Sequence, residues 1–183
     1  MYAHIHKLQP QCLIGNNHHL APFPGEDFQM FERDLPGENK SGLNFQTASQ
    51  LPLETCETIN GSWGYNITDR NYKSVKQIIH YLVNAAGRNS NLLLNVGPMP
   101  NGEIQSEFRD TLTKVGLWLQ QYGHTIYGSR GAVMAPQPWG VATAKGKMIY
   151  VHWLNNTDTR QLFLPGVKQR IKKATLLSEG TTL

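Results

Sequence analysis

The chain has 183 residues, 39% of them hydrophobic and 16% charged, with no low-complexity run and no repeat of fixed period, which excludes disorder as its main state. The net charge of +4 comes from scattered Lys and Arg; the one dense basic cluster, residues 168–173, reads as a solvated surface strand, and with no nucleic-acid motif beside it nucleic acid is not an expected partner. No stretch approaches the roughly 18 apolar residues that span a bilayer, so no membrane partner is expected, and the first residues lack the apolar core of a signal peptide.

Tyr2 to Leu8 reads as the end of a helix closed by Gln9-Pro10, because proline disfavours helical geometry in the residue before it. Cys12-Leu13-Ile14-Gly15 is expected to be a short buried strand, its continuous apolar run fitting a strand covered on both faces. Residues 20–52, rich in Pro and Gly and poor in aliphatics, read as a long loop with one helical turn, and loops of that length are usually functional or mobile. Leu53-Glu54-Thr55-Cys56 is the next expected strand. Both cysteines, Cys12 and Cys56, read as buried free thiols.

From Ser74 the pattern turns helical: Val75, Ile78, Ile79, Leu82, Val83 and Ala86 recur at three- and four-residue steps, with Ser74 placed to cap the start and Gly87 the end. Asn91 to Val96 follows as a second buried strand. A further helix from about Gln105 to Tyr122 presents Phe108, Leu112, Val115 and Leu119 on one face. This alternation is that of a parallel α/β sheet, in which the loops after the strands carry the active site. A complete (β/α)8 barrel takes about 250 residues, however, and only three or so βα units are present.

After Tyr127-Gly128 the texture becomes that of β-hairpins. Trp139 to Thr143, Met148 to Trp153, Gln161 to Pro165 and Ala174 to Leu177 read as strands, separated by turns at Lys145-Gly146, 155–158 and Pro165-Gly166. Four Asn-x-Ser/Thr sequons, at Asn39, Asn60, Asn66 and Asn155, are acceptors for glycans only in a secreted eukaryotic protein.

Taken together, His18-His19, the Gly25-Glu26-Asp27-Phe28 loop, Leu53-Glu54-Thr55-Cys56 leading into Ser62-Trp63-Gly64-Tyr65, Asn91 to Pro98, and Trp118-Leu119-x-x-Tyr122-Gly123 resemble the α-L-fucosidases of glycoside hydrolase family 29. The resemblance implies a partial (β/α)8-like barrel over residues 1–128, followed by the beginning of an all-β sandwich over 129–183. It implies a retaining exo-hydrolase acting on terminal α-L-fucosyl linkages of fucosylated glycans, with no metal or organic cofactor, in a secreted, periplasmic or lysosomal setting. Open sheet edges make an oligomer, or a complementing N-terminal half, the expected protein partner.

Retention requires two carboxyl groups about 5 to 5.5 Å apart, one attacking the anomeric carbon and one serving as acid and then base. By resemblance the nucleophilic aspartate would precede Met1, and the acid/base falls on Glu26, with Asp27 and Glu32 as neighbours that a slip of alignment would substitute. The aromatic setting of Phe23, Phe28 and Phe31 is expected to disfavour its charged form. Trp63 matches an aromatic that contacts the fucose ring; Asn17 falls near a position where some relatives place an arginine against the sugar. His18 and His19 are candidate hydroxyl partners, but neighbours on an extended chain point opposite ways, so only one should face the pocket. Glu54 and Glu57 are candidates for orienting pocket residues or for pairing with Arg70 or Arg88. Two other readings stand beside this one, a non-catalytic carbohydrate-binding fragment and a glycosidase of other sugar specificity.

Overall fold

The computed structural model describes residues 1–155, 161–168 and 170–182. Strands β1 (Gln29–Glu32), β2 (Leu53–Thr58) and β3 (Ser90–Asn95) form one parallel sheet in the order β1-β2-β3. Helix α1 (Tyr2–Leu8) precedes it, α2 (Val75–Gly87) connects β2 to β3, and α3 (Ser106–Tyr122) follows β3, running into a single 3-10 turn at Gly123–Thr125. The architecture of this part is α/β, as the alternation of periodicities implied.

Helix α2 starts where the sequence placed its cap. The Ser74 side chain accepts from the Gln77 N–H and the Gln77 side chain accepts from the Ser74 N–H, satisfying two of the donors a helix start leaves free. Its apolar stripe and that of α3 meet one face of the sheet, where Ile59, Ile78, Phe108 and Val115 form a buried cluster with Leu94 and Val96 packed against it. Leu112, expected on that stripe, is exposed and lies outside the cluster.

Several expectations are corrected. Cys12 to Gly15 is not a strand, and Cys12 is exposed. Only Ile14 is buried there, while Leu13 is 75% exposed. The Ile14 N–H donates to the Asp27 carboxylate and its carbonyl accepts the Asp27 N–H, so one residue takes the place of a ladder. Residues 20–52 contain no helical turn and instead enclose β1. Polar Gln29 at a buried position masks that strand in the sequence. Its amide donates to the Thr47 carbonyl and accepts the Ser49 N–H, which offsets the cost of burying it.

Strand β3 is covered on one face only, with Leu93 52% exposed on the other. Gln161 to Pro165 is not a strand, and the basic cluster is exposed without being one, as far as its described residues go. The turn expected at 155–158 falls largely on residues outside those described. Strands β4 (Gly140–Lys145) and β5 (Met148–Trp153) form an antiparallel hairpin, and β6 (Thr175–Leu176) pairs with β7 (Thr181–Thr182). Of the sequons, Asn60 is buried and Asn39 and Asn66 are exposed.

The hairpin docks on the helical layer through Gly87. A Cβ added there would lie 2.4 Å from the Val141 Cβ and 2.5 Å from its Cγ2, so only glycine lets the end of α2 meet β4. Gly87→Ala is therefore expected to destabilise the chain by about 1–3 kcal/mol in urea unfolding, in spite of alanine's better helix propensity, and Val141→Ala added to it to recover part of the loss. An unchanged midpoint for Gly87→Ala would remove this contact from the account.

Candidate active site

Register and alternation decide which side chains share a face. Gln29 opposes Leu53 and Glu32 opposes Cys56 across β1 and β2, while Cys56 opposes Leu93 and Thr58 opposes Asn95 across β2 and β3. Since successive side chains alternate, Glu32, Glu54, Cys56, Thr58, Leu93 and Asn95 lie on the sheet face away from the Leu94 side, with Glu32, Thr58 and Asn95 at the carboxyl ends of their strands. That is the end at which parallel α/β sheets bind ligands. The Cys56 thiol is pushed up by burial first and by the charges of Glu32 and Glu54 next, so it stays protonated.

Glu26 is held apart from this face, in the loop before β1. Its side chain is 2% exposed, and three donors converge on it. The Tyr2 hydroxyl donates to Oε1 at 2.8 Å, the Phe23 N–H to Oε2 at 3.0 Å, and His18 Nε2 lies 3.0 and 3.2 Å from the two oxygens. Because His18 Nδ1 accepts the Leu20 N–H at 3.0 Å, the neutral ring carries its hydrogen on Nε2 and donates to Glu26. The imidazole also stacks on Phe23 with centroids 4.3 Å apart.

Burial raises the Glu26 pKa, as the aromatic setting led one to expect, but the bonds from Tyr2, Phe23 and His18 outweigh it and the carboxyl is held below its ordinary value. The expectation of a retained proton is thus corrected for this arrangement. Asp27 is held low too, first by the Ile14 N–H, against some burial, and then by His6 at 2.9 Å. Helix α1 therefore seats on both acids, through Tyr2 and His6.

A second cluster gathers on Glu32. Its Oε1 accepts the Trp63 indole N–H at 3.1 Å, and its Oε2 accepts the Asn17 amide at 2.6 Å with His19 Nε2 at 3.7 Å. The Arg33 guanidinium lies over the indole, 5.0 Å from its centroid, and donates to the Gly61 carbonyl. The Asn95 amide donates to the Trp63 carbonyl at 2.7 Å, which ties the loop after β2 to the end of β3. Beyond Arg33 opens a polar cleft of about 330 Å3 lined by Glu57, Asn60, Tyr72 and Lys73 among others.

The sequence candidates thus divide. His18 goes to Glu26, whereas Asn17, His19 and Trp63 meet at Glu32, so the opposite orientation of the adjacent histidines is observed. Glu54 shares the sheet face but makes no side-chain hydrogen bond to either cluster. Glu57 lies 3.4 Å from Lys73 rather than pairing with an arginine, and Arg88 pairs with Glu38 at 2.9 Å. Glu32, mentioned in the sequence only as a neighbour, has a detectable signal: it ends the Gln29–Glu32 strand, but that strand was hidden by its buried glutamine.

A protein-family model described as α-L-fucosidase matches residues 1–124. The chain belongs to the α-L-fucosidase family. The plasma α-L-fucosidase of Homo sapiens is 34% identical over 143 residues, covering 71% of this chain and 30% of that protein. The chain therefore spans about a third of the length of the curated fucosidases it matches. Among solved structures, α-L-fucosidase isoenzyme 1 from Paenibacillus thiaminolyticus superposes with a TM-score of 0.77 at 36% identity, over 99% of this chain and 44% of that one. The Thermotoga maritima α-fucosidase in complex with fucose gives 0.59 at 29% identity, over 78% and 31%.

The ionisation of Glu26 is open to a direct check. In carboxyl-resolved NMR titration it is expected below the ordinary glutamate range, and Tyr2→Phe, which removes one donor to the ionised form, is expected to raise it. A titration unmoved by Tyr2→Phe would show that the hydroxyl contributes nothing.

Proposed function

We propose that residues 1–128 are the later βα units of a (β/α)8-like catalytic domain and 129–183 the first strands of an accessory β-sandwich, in a retaining exo-hydrolase of terminal α-L-fucosyl linkages. Membership of the fucosidase family over residues 1–124 carries this reading. The sheet face bearing Glu32 and Glu54, left open at Leu93, supports it, because the inner face of a barrel is covered only when the remaining strands are present. The substrate is a fucosylated glycan or glycoconjugate, and the partner of the open face is an N-terminal half or a second copy.

In this reading the attacking aspartate comes from polypeptide outside these 183 residues and bonds to the anomeric carbon as the leaving oxygen departs. Glu26 gives its proton to that oxygen, then takes one from the water that cleaves the glycosyl-enzyme. To do so it must exchange the Tyr2 hydroxyl on Oε1 for the leaving group. His18 orients it from the second side. Because its donors favour the ionised form, the protonated fraction falls as pH rises through a pKa below the usual glutamate value, and the activity optimum is expected on the acid side.

One observation favours a second reading, sugar binding without turnover: Glu26 is matched by three donors and is ionised as it stands. Kinetics separate the two. The 183-residue chain alone is expected to leave an aryl α-L-fucoside intact, while the longer polypeptide containing it turns the substrate over. In that longer enzyme Glu26→Gln is expected to lower kcat/KM by roughly 10²–10⁴-fold for fucosides with poor leaving groups, and far less for an activated aryl fucoside. An equal loss for all leaving groups, or a leaving-group-dependent loss in Glu32→Gln instead, would take the proton-transfer role away from Glu26.

A further inference from the structure

We propose that residues 129–183 carry a docking surface for a sulfated glycan, made of the exposed basic run Lys168, Arg170, Lys172 and Lys173 together with Arg130, Lys145 and Lys147 at the turn end of the β4–β5 hairpin. The proposal rests on the fucosidase reading only for the choice of a glycan as the polyanion. Three observations carry it.

The first is how the charge is divided. Residues 129–183 hold eight of the 17 Lys and Arg and two of the 13 Asp and Glu, a net +6, whereas residues 1–128 hold nine and eleven, a net −2. The positive excess of the chain therefore belongs to its C-terminal part. The part that carries Glu26, Glu32 and Trp63 is slightly acidic and does not by itself attract an anionic chain.

The second is that these cations meet no acid. The ion pairs among the described residues all lie between His6 and Arg88, where Lys40, Lys73 and Arg88 each find a glutamate, and none of them involves residues 129–183. Four cations within six residues repel one another, and every described position of the run is exposed. A partner with closely spaced negative groups removes that repulsion, and the release of its condensed counterions favours binding.

The third is placement. Arg130 exchanges both backbone hydrogen bonds with Ala144, each at 2.8 Å, which sets it beside Lys145. Lys145 is steadied by donating to the Tyr127 carbonyl at 3.0 Å, and Lys147 shares the tight turn with Gly146, whose φ is 58°. A Cβ built on Gly166 would lie 3.8 Å from the Val133 carbonyl oxygen, so the run that starts at Lys168 leaves the body of the protein close to the segment that holds Arg130.

The chemistry of the run selects the kind of polyanion. It contains no aromatic residue to stack on a base, and its described residues form no helix that could enter a groove or lie in a lipid interface. What remains is recognition of charge density, with the Arg170 guanidinium offering a bidentate fork to a sulfate and the lysines offering point charges. In a hydrolase of fucosylated glycans, such a surface holds an acidic glycan on the protein and raises the local concentration of its fucosyl ends.

The test is fluorescence anisotropy of a labelled heparin decasaccharide, a sulfated glycan without fucose, titrated with the 183-residue chain at about 150 mM NaCl. Saturable binding is expected, with Kd raised at least tenfold when Lys168, Arg170, Lys172 and Lys173 are all changed to Gln, and at least threefold in Arg130→Gln combined with Lys147→Gln. A charge-matched control, Arg70→Gln with Lys76→Gln, Arg109→Gln and Lys114→Gln, removes four charges from exposed positions of the other part and is expected to change Kd less than twofold. Lys168→Arg with Lys172→Arg and Lys173→Arg is expected to keep the binding, which separates lost charge from lost fold. No binding of heparin, an equal loss in the charge-matched control, or tighter binding of a DNA duplex or of phosphatidylserine vesicles than of heparin overturns the proposal. Fucoside turnover does not enter this readout: failure of the hydrolase reading shows in the kinetics of the longer enzyme, and failure of the docking surface shows in the anisotropy alone.

Discussion

A carboxylate can leave water only where donors replace it, and the segment Asn17-His18-His19 provides donors to two of them at once. The backbone bends here, with His19 in a left-handed conformation at φ 59°, and His18 meets Glu26 while Asn17 and His19 meet Glu32. Two acids only six positions apart in sequence thereby acquire different surroundings. One is enclosed and ionised under a tyrosine, an imidazole and a backbone amide. The other stands at the mouth of the sheet, against an indole, with bonding capacity left over.

Each acid is braced by a different part of the fold. Glu26 depends on α1, a seven-residue helix with no buried residue of its own, which is held through the bonds of Tyr2 and His6 to the two acids beneath it. Glu32 depends on the loop after β1. The outer edge of that strand is closed by side-chain amides, Asn44 on both backbone groups of Glu32 and Gln46 on the Met30 carbonyl. An unpaired strand edge is otherwise open to another strand, and here it is occupied by the protein's own side chains. Behind them the buried Asp34 carboxylate accepts from Ser41 and Asn44 and is held below its usual pKa, burial opposing and these donors prevailing.

Much of the fold was legible where one signal dominated. Helix α2 has an unbroken apolar stripe and a capping pair, so local pattern and tertiary environment agree. Strand β1 was not legible, because Gln29 is buried by virtue of partners at Thr47 and Ser49, some twenty residues away. Cys12 to Gly15 was misleading for the converse reason: an apolar run suffices for burial only if something covers it, and Leu13 is not covered. The candidate residues themselves were legible as residue types near strand ends. Which of them meet was not.

The residues alone determined the family, the α/β alternation and the Ser74 cap of α2, since each of these depends on neighbours within a few positions along the chain, whereas Gly87, expected to cap that helix's end, is its last residue and Arg88 follows as the cap. Only the folded arrangement decided that Glu26 is ionised and enclosed and that Trp63 belongs with Glu32. Those outcomes depend on the competition between burial and hydrogen bonding, and the donors that settle it, Tyr2 for one acid and Trp63 for the other, lie 24 and 31 residues away.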